Sequence, residues 1–258
     1  MKIHLLLFLV LISLGASAQS KYLVISSGFD LCDLKNESMS PLTYYGAGAN
    51  VTLGLVAERE KGIHDLSLFS GAHLATPLIA TSTLSFYNVN FEYTYLRKVG
   101  LIGATGIELF GGGAVTTRLA IRNHQQYSNN NLDADQEFSF AIAGKARKSI
   151  ALKKRQLDLS WALTIPVVSL SYVPSYLGLG PEGFMFDDDS GIKSLLQQGE
   201  VLSVGRFRRV ISEIDMVWNI SSGNALALSY RWDYTTNTSG NYISDAVHAF
   251  NFGFFISL

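Results

Sequence analysis

Histidines are the first place to look for chemistry in this chain. A histidine beside a serine, oriented by a third polar group, makes a hydrolytic nucleophile. The sequence holds five histidines, and His64, His73, His124 and His248 lie beyond the first 18 residues. None has a serine two positions away, the spacing that sets two side chains on one face of an extended segment. His64 and Asp65 are adjacent, so on a strand they point to opposite faces. His73 reads as inward-facing near one rim, with no serine to activate. Acid chemistry would need paired carboxylates with an Asp–His pair. The nearest material is the run Asp187, Asp188 and Asp189, and the Asp245 that precedes His248. No constellation meets the requirements of an assembled site, so the chain reads as non-enzymatic, with no cofactor and no metal centre. Cys32 is the one cysteine, so no intramolecular disulfide forms, and it reads as a small residue near a strand end.

The elements that would carry these residues are strands, because apolar and polar residues alternate with a period of two. Phe250, Phe252, Phe254, Ile256 and Leu258 fall on one face, and Asn251, Gly253, Phe255 and Ser257 on the other. Leu226, Leu228, Tyr230, Trp232 and Tyr234 alternate with Ala225, Ala227, Ser229, Arg231 and Asp233. Tyr87 to Tyr95, Leu157 to Ile165 and Glu137 to Ala143 repeat the pattern. From Leu101 to Arg122 the polar register holds Glu108, Thr116, Arg118 and Arg122. The run Gly111 to Gly113 suggests a bend or bulge there. A soluble β-sandwich also alternates. It rarely sets large apolar residues on one face and small or charged ones on the other in strand after strand, whereas a lipid-facing exterior around a polar interior does so naturally.

Composition agrees. Only 16% of residues are charged, 12% are aromatic, and Gly outnumbers Pro by 23 to 5. Beyond the N-terminus no apolar run approaches the length of about 20 residues that a spanning helix needs. The net charge of −1 offers no basic face for nucleic acid. The first residues read as a basic start, an apolar run LLLFLVLISLG and a small-residue site ASA. That is a signal peptide over residues 1–18, with cleavage after Ala18 and a mature domain over 19–258. Cys32 lies too far past this site to be a lipidated first residue.

Ten strands are expected, near 21–31, 44–57, 63–75, 82–96, 101–121, 136–146, 155–172, 201–218, 224–234 and 246–258, with eight or twelve as alternatives. The even-numbered connections are compact: EREKG, RKVG, RKSIALKK and NISSG. The odd-numbered ones include the long ones: CDLKNESMSPL, NHQQYSNNNLDAD, the stretch 174–200 and TTNTSGNYIS. Short turns at one end and long loops at the other are the asymmetry of a transmembrane, antiparallel, up-and-down β-barrel. An even strand number then brings both termini to the short-turn end. Trp218, Tyr93 and Tyr95 would lie near one membrane interface, and Trp232 and Tyr234 near the other.

The terminal segment HAFNFGFFISL resembles the last strand of bacterial outer-membrane barrels, whose alternating aromatics are read by the barrel-assembly machinery. Here the signal comprises Phe250, Phe252, Phe254, Ile256 and Leu258, ending on Leu rather than the commoner Phe. The segment LALSYRWDY and the overall pattern resemble small outer-membrane proteins of the Bacteroidota. The resemblance implies Sec-type export, insertion in the bacterial outer membrane with both termini periplasmic, and contact with outer-membrane lipid. It implies no activity. Barrel phospholipases, deacylases and ten-stranded barrel proteases exist, but their His–Ser or Asp–His spacings do not match this sequence.

The expected inward set carries both signs: Asp30, Asp65, Glu92, Glu108, Arg118, Lys145, Asp158, Glu213, Asp215, Arg231 and Asp233. Confined charges need partners or water, so these side chains form either a salt-bridged plug or a narrow polar conduit. A ten-stranded ring is too small for a wide porin. In the 174–200 stretch, Phe184, Met185 and Phe186 offer apolar anchors for a partner, or the loop folds into the lumen. Asp187 to Asp189 form a solvated run or hold a divalent cation that bridges lipopolysaccharide or a partner. The leading reading is a structural or accessory subunit that docks with another outer-membrane protein. A channel for small polar solutes and a lipid- or peptide-hydrolysing barrel are the alternatives.

Overall fold

The computed structural model describes residues 20–79, 81–124, 126, 131–153, 155–173, 199–220 and 223–258. The leader and the Phe184–Asp189 stretch lie outside the described residues. The strands are β1 (Ser20–Asn36), β2 (Ser40–Arg59), β3 (Gly62–Pro77), β4 (Leu84–Ile102), β5 (Ile107–His124) and β6 (Leu132–Leu152). They continue as β7 (Arg155–Tyr172), β8 (Glu200–Ser203), β9 (Phe207–Asn219), β10 (Ala225–Asn237) and β11 (Ile243–Ser257).

Each strand except β8 and β9 pairs antiparallel with its sequence neighbours, and β1 pairs with β11 from Tyr22↔Ser257 to Asn36↔Ile243. The sheet therefore closes. β7 pairs with β9 along its lower part and with β8 at its far end, so β8 and β9 occupy one position in a ring of ten. Both ends of the chain's strand path, Ser20 and Ser257, lie at the same rim. We call this rim the terminal end and the opposite one the loop end.

The strands run longer than the alternation suggested, and the loops shrink accordingly. β1 continues through CDLKN to a three-residue turn, Glu37–Met39. There the Asn36 side-chain oxygen accepts from the Ser38 amide at 2.9 Å and from its hydroxyl. β10 ends the same way, with Asn237 Oδ1 accepting from the Ser239 amide at 2.8 Å and its hydroxyl at 2.7 Å. Such Asx turns reverse the chain without an extended loop.

Two compact connections also move. RKVG is strand, and the β4–β5 turn lies at 103–106, where Gly103 (φ 42°) and Gly106 (φ 67°) supply left-handed backbone. RKSIAL is strand too, and the β6–β7 turn begins at Lys153, itself at φ 54°. β5 passes unbroken through Gly111–Gly113. The irregularity lies opposite, on β4 between Lys98 and Gly100. Gly112 is required for close approach, since a Cβ there would stand 1.9 Å from the Tyr95 carbonyl oxygen. A second register shift sets Phe140 opposite Val168 but Ala141 opposite Pro166, leaving Val167 without a partner. That bulge admits a proline, which has no N–H for the ladder.

Alternation sorts the side chains as expected. Outward positions form an apolar belt that includes Ile25, Phe29, Leu53, Val89, Phe140, Ile142, Trp161, Ile214, Leu228 and Phe252. Trp161 is 50% exposed and Phe140 56% exposed, values foreign to a soluble core and natural to a surface solvated by lipid. Trp218, Tyr93 and Tyr95 lie on the terminal side of this belt, and Trp232 and Tyr234 on the loop side. No helix among the described residues is long and apolar enough to cross a membrane.

Candidate functional site: the barrel lumen

All eleven charged residues expected to face inward lie on the inner face of the ring, since their cross-strand partners share one parity. They divide into two groups along the barrel. Asp65, Lys145, Asp158, Glu213 and Asp215 line a cavity of about 450 Å³ in the terminal half. Glu108 stands at the terminal rim, where Arg147 donates to it at 2.9 and 3.1 Å and Lys98 also reaches it. Arg147 bridges on to Glu58 of β2 at 2.8 Å.

The loop-side floor of the cavity is an ion pair between Arg231 of β10 and Glu92 of β4. Above it, Arg209 of β9 donates to Asp233 at 2.9 and 2.6 Å and to Asn90 of β4 at 2.8 Å. Its other amino nitrogen lies 3.7 Å from Glu137. A further layer joins Arg118 and Arg122 of β5 to Asp135 of β6 and Asp245 of β11, with Asp133 at 3.5 Å from Arg122. Asn36 of β1 bonds to Asp133 across the lumen.

Three of these links span the ring between opposite strands. In the ten-strand circle, four strands separate β4 from β10 on either side, and the same holds for β5 and β11 and for β1 and β6. The bridges Glu92–Arg231, Arg118 and Arg122 to Asp245, and Asn36–Asp133 therefore brace the barrel along its diameter. Apolar side chains share this level, with Leu34 paired to Asp245 and Phe86 to Arg122. Cys32, Leu34, Tyr44, Ala75, Leu84, Phe86, Ala120 and Val247 pack as one cluster inside the loop end. Every ring position contributes buried inward side chains to this half, down to Ser169 and Ser171 on β7. Buried charge is tolerable only because each guanidinium meets several carboxylates.

The candidate catalytic residues do not assemble. Asp245 faces inward to the arginines, whereas His248 faces outward and bonds to the Tyr230 hydroxyl at 2.8 Å. His64 faces outward to the Tyr93 hydroxyl at 2.9 Å. His124 meets Tyr44 of the apolar cluster at 2.9 Å. One Asp–His pair does form, which the spacing did not reveal. His73 Nε2 lies 2.8 Å from Asp30 Oδ2 and Nδ1 lies 3.2 Å from the Phe86 carbonyl. Both side chains are wholly buried and both ring nitrogens are engaged. The described residues hold no cluster of three or more His, Cys, Asp or Glu side chains able to hold a metal ion.

Several network members were absent from the expected set. Arg122 and Glu137 sit on polar faces that the alternation marks. Asp133, Asp135 and Asp245 fall in stretches read as connections. Arg209 lies on the polar register two steps of two from Glu213, but adjacent Arg206 and Arg208 mask it. Phe250, Phe252, Phe254 and Ile256 face outward along β11, and Leu258 follows the strand, its amide bonded to the Lys21 carbonyl at 3.0 Å.

The fold is similar to that of the outer membrane protease OmpT from Escherichia coli, with a TM-score of 0.55 at 7% identity over 93% of this chain and 97% of that one. Lesser similarity extends to the transport unit of the autotransporter AIDA-I from Escherichia coli (TM-score 0.44, 8% identity, 93% and 91% covered). It also extends to the translocator domain of the autotransporter NalP from Neisseria meningitidis (TM-score 0.39, 8% identity, 95% and 91% covered). No family profile matches the sequence. No curated protein matches it either. At such identities the likeness concerns the fold, which is that of an outer-membrane β-barrel.

Proposed function

We propose that this chain is an integral protein of the bacterial outer membrane whose barrel is a braced, closed body. It serves as a structural or accessory subunit of an outer-membrane assembly rather than as a conduit or a hydrolase. The observation that carries this reading is the loop-half interior, crossed by ion pairs between opposite strands and filled beside them by the cluster around Phe86 and Leu34. A path for small polar solutes would need a continuous lumen, and the cavity lined by Asp65 and Glu213 lies in the terminal half.

The apolar exterior and the aromatic positions on both sides of it support residence in a bilayer. The N-terminal leader and the aromatic last strand support Sec-type export and insertion by the barrel-assembly machinery. Only a few residues separate β2 from β3 and β4 from β5 at the terminal end, whereas a far longer stretch separates Tyr172 of β7 from Glu200 of β8. That asymmetry supports termini in the periplasm.

Planar-bilayer recording of the purified, refolded chain tests this proposal, with silence as the expected result. Resolved conductance steps would overturn it in favour of the channel. Affinity purification from native membranes should then recover a stoichiometric outer-membrane partner, and a lone monomer would overturn the accessory role.

A further inference from the structure

Charge at the terminal rim is segregated by strand face. On β1, β2, β4, β6 and β7 the outward register carries one cation toward this rim: Lys21 after Leu23, Arg59 after Ala57, Arg97 after Tyr95, Lys148 between Ala146 and Ile150, and Arg155 before Leu157. The strand acids of this end, Glu58, Glu108 and Asp158, all have the inward parity. Two of them bond to Arg147. The exposed acid there is Glu60, in the turn beside Lys61. The loop end shows no such sorting, since its outward strand positions carry Asp33, Lys35 and Arg208, of mixed sign.

We infer that the outward cations Arg59, Arg97, Lys148 and Arg155 bind the anionic headgroups of phospholipids in the leaflet at the terminal end. The inference rests on the membrane reading above. Arg155 lies at the end of the belt and Lys148 inside it, and from either position a long side chain can lie along apolar surface and set its charge at the headgroup level. Arg155 does so visibly, with its guanidinium 5.6 Å from the centre of the Trp218 ring. The neighbouring Tyr93, Tyr95 and Trp218 mark the same interface. Single-sign charge facing outward, with the compensating acids turned into the lumen, creates attraction for anionic lipid that paired surface charges would cancel. It also favours one orientation of the barrel across a bilayer of unequal leaflets.

The test uses the full mature chain refolded into vesicles of phosphatidylcholine alone and of phosphatidylcholine with phosphatidylglycerol. Native mass spectrometry then counts the lipids retained. The wild type should retain phosphatidylglycerol over phosphatidylcholine by about fivefold or more, and free inorganic phosphate should not displace it. The combined variant Arg59→Gln, Arg97→Gln, Lys148→Gln, Arg155→Gln should lose that preference while keeping the heat-modifiable mobility of a folded barrel. Lys35→Gln with Arg208→Gln should leave it unchanged. Should the fourfold variant not fold, Arg97→Gln with Lys148→Gln serves in its place, with a partial loss expected. Equal retention of both lipids by inserted wild type, or an unchanged preference in the folded variants, overturns the inference. A wild type that forms no heat-modifiable barrel in either vesicle overturns the membrane reading instead.

Discussion

Arg122 and Asp245 meet across the diameter of the barrel, 123 residues apart in the chain and on strands that share no edge. Asp245 holds Arg118 as well, so one carboxylate serves two guanidinium groups. Its removal should be costly. Asp245→Ala leaves buried positive charge without a main counter-ion, and breaking such a pair costs about 3–5 kcal/mol. Urea unfolding of the refolded barrel should show a clearly lowered midpoint. The combined change Arg118→Met, Arg122→Met, Asp133→Asn, Asp135→Asn, Asp245→Leu removes the charges of the layer together and should recover part of the loss. Equal stability of Asp245→Ala and wild type would mean that this layer bears no load.

Two ionic layers cross the lumen, so the proposed closed body predicts that opening it requires changes in more than one of them. Arg231→Ala with Glu92→Ala extends the terminal cavity toward the loop end but leaves the Arg118–Arg122–Asp245 layer and the apolar cluster in place. Planar-bilayer recording of that variant should remain silent. Steps from it would place the barrier at the cavity floor alone.

Cys32 offers a reporter for the loop-end interior. It is 2% exposed, inside the ring and packed in the apolar cluster. A charged thiol reagent should leave it unmodified in the folded barrel and label it fully after unfolding in denaturant. Rapid labelling of folded protein would show that the loop end admits water to that depth.

Closure of the ring depends on Gly28. A Cβ there would stand 1.9 Å from the Phe250 carbonyl oxygen and 2.4 Å from Asn251 Oδ1, at the seam between β1 and β11. Gly28→Val should therefore impair formation of the heat-modifiable barrel. Gly240→Ala, where an added Cβ meets nothing within 4 Å, should not. Equal folding yields for the two would mean that the seam relaxes freely around the side chain.

Side-chain parity was legible in the chain from the start. Residues two apart on a strand share a face, so Glu92, Arg118 and Arg231 could be assigned to the interior and Phe250 and Trp161 to the exterior without coordinates. Strand ends were less legible. The stretches around Asn36 and Asn237 are polar and read as loops, because the extension of β1 and β10 is stabilised by pairing with their neighbours rather than by local pattern. Asp133, Asp135 and Asp245 were overlooked for that reason.

What the sequence determined by itself was which side of the wall each residue occupies and where the chain turns apolar to polar. Only the tertiary structure decided which charges meet. Parity says that Arg122 and Asp245 both point inward. Whether they lie at one height depends on how far the perpendicular pairing climbs along the strands over a full circuit of the ring, including the shifts at Lys98/Gly100 and Phe140/Ala141. That climb is a sum over every strand pair, and no local stretch of residues contains it.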